Sequence, residues 1–278
     1  MNKTLSRFFI EKNRIGSEEV SIKGDDAHHI CAVLRKTPGE HIIICDGECV
    51  DYDCALTYIG ADECRASIVR RYPNTGEPPV RVSLYQSLPK LEKFEYIIQK
   101  CVEAGISDII PVISEHVQYA GKLDAAKWEK RLARWRSISY AAAKQSGRGI
   151  VPKIHNRLEF SEAVTQCADR VGESPEGRLA LIPYENETET SLKSKLAAFR
   201  INLGAMRKID AASDLAAAHV PYMGEIHIFI GPEGGYAPAE INLCKQNAIL
   251  PVTLGPRILK TETAGLAVLC QIMYEFEQ

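Results

Sequence analysis

From residue 80 onward the chain alternates short apolar runs with stripes of helical period, and no other feature narrows its fold so much. Residues 80–86 read as a strand. Phe94, Ile97, Ile98, Cys101, Val102 and Gly105 then recur at i, i+3, i+4, i+7 spacing, which marks one face of a helix, and residues 109–113 read as the next strand. Trp128, Leu132, Trp135, Ile138 and Ala142 form a second stripe. Further strands are expected at 179–183, 226–230 and 252–254, and further helices at 189–199, 238–247 and 261–276. Parallel strands need long crossovers and helices supply them, so this alternation predicts an α/β domain on a mostly parallel sheet. The stretch 200–224 reads as an excursion between two strands, as loop, as a short helix at 211–218, or as both.

Before residue 80 the pattern differs. Short β-branched and aromatic runs at 8–10, 41–45, 52–58 and 65–70 predict strands, with one helical stretch at 25–34 among them. A small β-barrel with a helix across one end accounts for this order. Tyr72-Pro73-Asn74-Thr75-Gly76-Glu77-Pro78-Pro79 holds three prolines and a glycine and reads as a break. The expected organisation is therefore a barrel domain at 1–73, a linker at 74–79 and an α/β domain at 80–278.

Composition excludes some classes. With 45% hydrophobic and 25% charged residues the chain is neither disordered nor fibrous. It has no apolar run of membrane-span length and no signal-type N-terminus, so a cytoplasmic protein is expected. Nine scattered cysteines suggest reduced thiols. The cluster Cys45, Cys49 and Cys54 with His41 lacks the paired spacing of a zinc site, so no metal is expected. Net charge is −2, so nucleic acid can be held only by a local patch. One candidate runs from Arg131 to Arg157, with Arg134, Arg136, Lys144, Arg148 and Lys153 between them and no acidic residue. Arg134 and Lys144 fall off the apolar stripe, and Arg148 follows in the turn Gln145-Ser146-Gly147-Arg148-Gly149. The segment is either a phosphate-binding surface or a solvated helix face. Arg35 and Lys36 add basic charge near His28 and His29.

Open parallel sheets bind ligands at the carboxyl ends of their strands, and three such ends stand out. Ile230-Gly231-Pro232-Glu233-Gly234-Gly235-Tyr236 leaves an apolar strand and enters a helix near Pro238; it is neither a Walker loop nor a dinucleotide fingerprint. Leu254-Gly255-Pro256-Arg257-Ile258-Leu259-Lys260-Thr261-Glu262-Thr263-Ala264 leads from a strand into the last helix, which Thr261 or Thr263 could cap, leaving free N–H groups for a carboxylate. Glu262 is a first-turn dipole partner or a site acid. Leu181-Ile182-Pro183-Tyr184-Glu185 is the weaker third. Each alone is a tight strand-to-helix turn or strand end. Together they can line one cleft.

These turns, with His28-His29, Val33-Leu34-Arg35, Gly39-Glu40, Gln99-Lys100, Glu103-Ala104-Gly105 and Gln145-Ser146-Gly147-Arg148, make the chain resemble the 16S rRNA uracil-N3 methyltransferases called RsmE, of the SPOUT superfamily. The resemblance runs nearly end to end. Where that family usually has Glu-Gln, this chain has Lys144-Gln145, and where it has Gly-Asp-Arg-Met-Glu, this chain has Leu91-Glu92-Lys93-Phe94-Glu95.

The resemblance implies a PUA-like barrel and a SPOUT-type trefoil-knotted α/β domain. It implies S-adenosyl-L-methionine as cofactor, a homodimer, and as substrate 16S rRNA in the assembled 30S ribosomal subunit, at uridine 1498. On that basis Leu181, Pro183, Gly231, Pro232, Glu233, Gly234, Leu254, Gly255, Ile258, Leu259, Thr261, Thr263 and Ala264 are expected to hold the cofactor. Arg257, Glu262 and Arg148 are the candidate catalytic residues, with Glu262 as proton acceptor. Arg35, Lys36, Arg134, Lys144 and Arg148 are the candidate RNA contacts. Two rivals share these residues: a non-catalytic RNA-binding assembly factor with a vestigial pocket, and a methyltransferase acting on another base or RNA.

Overall fold

The computed structural model describes residues 5–118, 124–210 and 222–277. The stretch 211–218, where a short helix was one expectation, lies outside the described residues. The chain divides into two compact units, residues 1–77 with 143–151 and residues 78–142 with 152–278. A linear reading of the sequence has no place for the return of 143–151 to the first unit.

The first unit is a five-stranded sheet in the order β1 (Arg7–Phe9), β3 (His41–Cys45), β4 (Val50–Ile59), β5 (Glu63–Pro73), β2 (Glu19–Lys23). Strand β2 was absent from the sequence expectations, because Glu19-Val20-Ser21-Ile22-Lys23 alternates over only five residues. Among the described residues β1 and β2 do not pair, so the sheet is a curled half-barrel rather than a closed one. The helix α1 (Asp25–His28) continues as a π turn, His29–Val33, and Ala27 and Ile30 join Phe8, Ile22, Ile42, Ile44 and Leu56 in the core.

The second unit is a parallel sheet in the order β12 (Leu250–Val252), β10 (Arg178–Pro183), β11 (Glu225–Ile230), β6 (Arg81–Ser87), β7 (Asp108–Ile113), β8 (Lys153–Ile154), with β9 (Leu158–Glu159) also on β7. Strand alternation sorts the two faces. Tyr85, Ile110, Ala180, Ile182 and Phe229 pack with α4 (Phe160–Glu173) and α6 (Pro238–Gln246). On the other face lie α2 (Leu91–Glu103), α7 (Thr261–Phe276) and α5 (Leu192–Asp210), which pack on one another. α3 (Ala125–Ser146) sets Trp135 against Phe94 of α2 at 4.4 Å and buries Trp128, so both tryptophans are core residues.

Helix α4 was missed, although Phe160, Ala163, Val164 and Cys167 form a buried stripe. The chain leaves the edge strand β12, returns beside the ends of β10 and β11, and enters α7 against β11 and β6.

Candidate active site

The carboxyl ends of β10, β11 and β12 converge on one cleft of about 690 Å³. Its walls are the turn after β11, the segment between β12 and α7, and the chain leaving β10. Each wall follows from local chemistry. Gly235 and Gly255 sit at φ +70° and +100°, in the left-handed region that side chains resist. A Cβ on Gly231 would stand 3.2 Å from the Tyr236 ring, and one on Gly234 would stand 3.0 Å from Cβ of His116. The turn after β11 therefore runs flush against its neighbours. Pro238 opens α6, where its missing N–H is no loss. Glu240 anchors the entry by accepting from the Ala237 N–H at 2.9 Å and the Glu115 N–H at 3.0 Å.

The β10 exit is laced to β12. The N–H of Tyr184 donates to the Val252 carbonyl at 3.0 Å, that of Thr253 to Thr190 at 2.8 Å, and that of Leu192 to Thr253 at 3.2 Å. Glu187 closes the exit turn by accepting the N–H groups of Glu189 and Thr190. These backbone bonds favour its charged form and hold its pKa below the ordinary carboxylate value.

Thr261 joins the walls at the floor. Its buried hydroxyl donates to the Gly231 carbonyl at 2.6 Å and accepts from Nε2 of Gln86 at 2.9 Å. A second tie lies nearer the surface, where the Lys93 ammonium stands 3.1 Å from Glu233 and 3.2 Å from Glu262. The Glu233 contact, with a smaller contribution from Glu262, raises the lysine's pKa against partial desolvation. Desolvation pushes the Glu233 carboxyl up, but its own N–H, Lys93 and the Lys90 N–H outweigh it and leave its pKa lowered.

Most of the expected cofactor residues meet here. Pro183, Gly231, Pro232, Glu233, Gly234, Leu254, Gly255, Ile258, Leu259, Thr261 and Ala264 line the cleft, and so does Arg257. Ile258 is 88% exposed, an apolar side chain presented to incoming ligand. Three assignments need correction. Leu181 is buried inside β10 and does not line the cleft, because strand alternation turns it into the sheet. Thr263 lies outside the lining, and neither threonine caps α7; the N-cap is Lys260, whose carbonyl takes the N–H groups of Thr263 and Ala264 at 2.8 Å each. Those two amides are thus not free for a carboxylate. Glu262 also lies outside the lining and faces Lys93. Glu185 and Tyr236 lie in turns that the sequence singled out, though not among the expected site residues; Glu187 in the walls and Gln86 and Lys93 behind them were missed. The only signal for Gln86 was its position at the end of an apolar strand, and for Lys93 its place in the segment Leu91-Glu92-Lys93-Phe94-Glu95 that departs from the family pattern.

The basic residues are mostly paired. Arg148 is not displayed on its turn. It is 2% exposed, and its fork meets Glu77 at 2.8 and 2.7 Å while Glu77 also accepts from the N–H groups of Gly149 and Ile150. Lys144 pairs with Asp26 at 3.0 Å and sits 4.4 Å over the Phe8 ring. Lys36 pairs with Glu40 at 2.9 Å, and Arg134 meets Glu95 through two bonds at 2.6 and 2.8 Å. Arg35 is exposed at φ +50°. Among the described residues no group of three or more histidine, cysteine or acidic side chains is arranged to hold a metal. No described helix is long and apolar enough to cross a membrane.

A parallel α/β domain with glycine-walled loops at its strand ends, in one chain with a small β domain, points to an RNA methyltransferase. The RNA methyltransferase domain family matches residues 76–273, and the RNA methyltransferase PUA domain family matches residues 22–69. The chain is 30% identical over 276 residues to ribosomal RNA small subunit methyltransferase E of Bacillus subtilis, covering 98% of each. It is also 30% identical to the protein of that name from Mycobacterium bovis, over 89% of this chain and 83% of that one. Among solved structures, ribosomal RNA small subunit methyltransferase E from Neisseria gonorrhoeae bound to S-adenosyl methionine superposes with a TM-score of 0.75 at 28% identity, over 97% of both chains. The chain belongs to the ribosomal RNA small subunit methyltransferase E family, and its fold is the SPOUT-type α/β domain with a PUA-like half-barrel.

Proposed function

We propose that this protein transfers the methyl group of S-adenosyl-L-methionine to N3 of uridine 1498 in 16S rRNA of the assembled 30S subunit, working as a homodimer in the cytoplasm. The observation that carries this reading is the single cleft into which three strand-end loops converge.

The cleft suits the cofactor. Its glycine-rich walls bring main chain within reach of a purine and ribose, and Leu254, Ile258, Leu259 and Tyr236 offer apolar surface. Glu185, Glu187 and Glu233 line the same space and complement a cationic ligand. When bound, the cofactor supplies a methyl group on a positively charged sulfur. The chain's own task is to hold that group in line with the base, and the rigid ties at Thr261 and Glu240 serve it. Arg257, exposed at the cleft, is placed to steer the uridine or its phosphates.

On the RNA side, Arg35 and Arg134 are the better candidates. The Arg134–Glu95 pair is exposed and screened by solvent, so a phosphate can displace the carboxylate. Lys36 and Lys144 are more enclosed by their carboxylates and contribute mainly field. Arg148, locked to Glu77, is assigned to architecture. Exposed Tyr96, Ile201 and Tyr274 on the packed helices α2, α5 and α7 support self-association.

The test is methyl transfer from labelled S-adenosyl-L-methionine to 30S subunits lacking the modification, with the product nucleotide mapped by mass spectrometry. One 3-methyluridine per subunit is expected. Label at another position or base, or cofactor binding without transfer to any RNA, would overturn the proposal.

A further inference from the structure

Of the three loops that form the cleft, the turn after β11 and the segment before α7 meet nowhere in sequence, and the residues that fasten these two belong to neither. The ties start from either side of the connection between β6 and α2. Gln86, the next-to-last residue of β6, is fully buried; its amide donates to the Ser87 carbonyl at 3.0 Å and to Thr261 Oγ1 at 2.9 Å. With that hydrogen fixed, the Thr261 hydroxyl can direct its own only to Gly231, whose carbonyl accepts it at 2.6 Å. The relay therefore sets the height of α7 against the turn after β11. Seven residues later, in the first turn of α2, Lys93 spans the same pair of elements at the surface, reaching Glu233 on one and Glu262 on the other. The Lys90 N–H also points at Glu233, 3.4 Å from Oε1.

We infer that Gln86 and Lys93 are positioning residues, an inner and an outer staple that hold the two walls of the cleft at the spacing the cofactor requires. This rests on the cleft being the S-adenosyl-L-methionine site. Neither side chain lines the cleft, so each acts through another residue: Gln86 through Thr261, and Lys93 through Glu233 and Glu262. The two differ in kind. The inner staple is a neutral relay sealed from solvent and is indifferent to salt. The outer one is a partly exposed ion triad that salt screens.

Two measurements test this on the full chain. Amide hydrogen exchange of residues 231–236 is followed without cofactor, and S-adenosyl-L-methionine binding is followed by calorimetry at low and high salt. Gln86→Met keeps the volume and removes the amide; exchange in the turn should rise and the dissociation constant weaken about tenfold, equally at both salts. Thr261→Val should do the same, and the double variant should be no worse than either single one, since both break one relay. Thr261→Ser, which keeps the hydroxyl, should restore most of the affinity. Lys93→Met should weaken binding about threefold at low salt and leave no difference from the wild type at high salt.

The inference is overturned if Gln86→Met and Thr261→Val act additively on affinity, or if both bind as the wild type does with exchange unchanged. It is also overturned if Lys93→Met lowers affinity equally at both salts. Absence of cofactor binding by the wild-type protein would instead sink the proposed function, and the exchange measurement would still decide whether the staples hold the walls.

Discussion

Arg148 and Arg257 stand in turns that look alike in sequence. Each comes within two residues of a glycine that takes a positive φ, Gly147 at +78° directly before Arg148 and Gly255 at +100° two residues before Arg257, and each lies between a helix and a strand or loop. Their fates are opposite. Arg148 is enclosed and held by both oxygens of Glu77, a residue of the proline-rich segment, whereas Arg257 is exposed at the cleft. A glycine-arginine turn is therefore not a site in itself. What decides is whether a distant carboxylate arrives to close it. Glu77 does so thoroughly, satisfying the guanidinium and two backbone N–H groups at once. Of the cleft's three carboxylates, Glu233 is engaged by Lys93 and Glu187 by its turn.

Three experiments would break or sharpen this contrast. The largest effect is expected from Glu77→Gln. It deprives a buried guanidinium of its carboxylate, and denaturant unfolding should show a loss of about 3–5 kcal/mol. Replacing both partners with methionine should recover much of that, because two desolvated charges disappear together. If Glu77→Gln is as stable as the wild type, the closed turn is not an ion-paired lock.

Arg257→Met should behave in the reverse way. Stability should stay within about 0.5 kcal/mol, while kcat/KM toward 30S subunits falls about tenfold to a hundredfold, the worth of one or two charged hydrogen bonds. A destabilised but fully active variant would remove Arg257 from the site.

Gly235→Ala is the mildest. Its Cβ would sit at φ +70° and 3.1 Å from Oε1 of Glu185, so thermal unfolding should register a loss of about 1 kcal/mol. Cofactor affinity should fall a few-fold with it. No change in either would mean the turn after β11 is looser than its contacts imply.

How much was legible depended on whether a feature was local. The helix faces around Phe94 and Trp135 follow from period, because burial on one face imposes it, and the strands at 80–86, 109–113 and 226–230 from short apolar runs, because a parallel sheet covered on both faces buries both sides of its strands. The glycine turns were legible because a positive φ and a close approach restrict the residue type. Pro238 was legible as a helix start for the same kind of reason. By contrast, β2 was too short to rise above its surroundings, and α4 passed unremarked although it carries a buried stripe. Gln86 and Lys93 carried only weak local signals, and none that marked their role. Their importance lies in partners 175 residues away for Gln86, and 140 (Lys93 to Glu233) and 169 (Lys93 to Glu262) away for Lys93.

Sequence by itself determined that the chain would form a β-rich unit and a parallel α/β unit, and that glycine turns at strand ends would open toward a ligand. Those outcomes depend on propensities and periodicities that act over a few residues. Only the tertiary structure decided which arginine would be sealed and which exposed, that Thr261 would bind a carbonyl instead of capping its helix, and that Glu262 would face a lysine instead of the cleft. Each of these depends on a charge or donor brought from far along the chain. Local preference is silent about such pairs, because their energy exists only after the strands have chosen their neighbours.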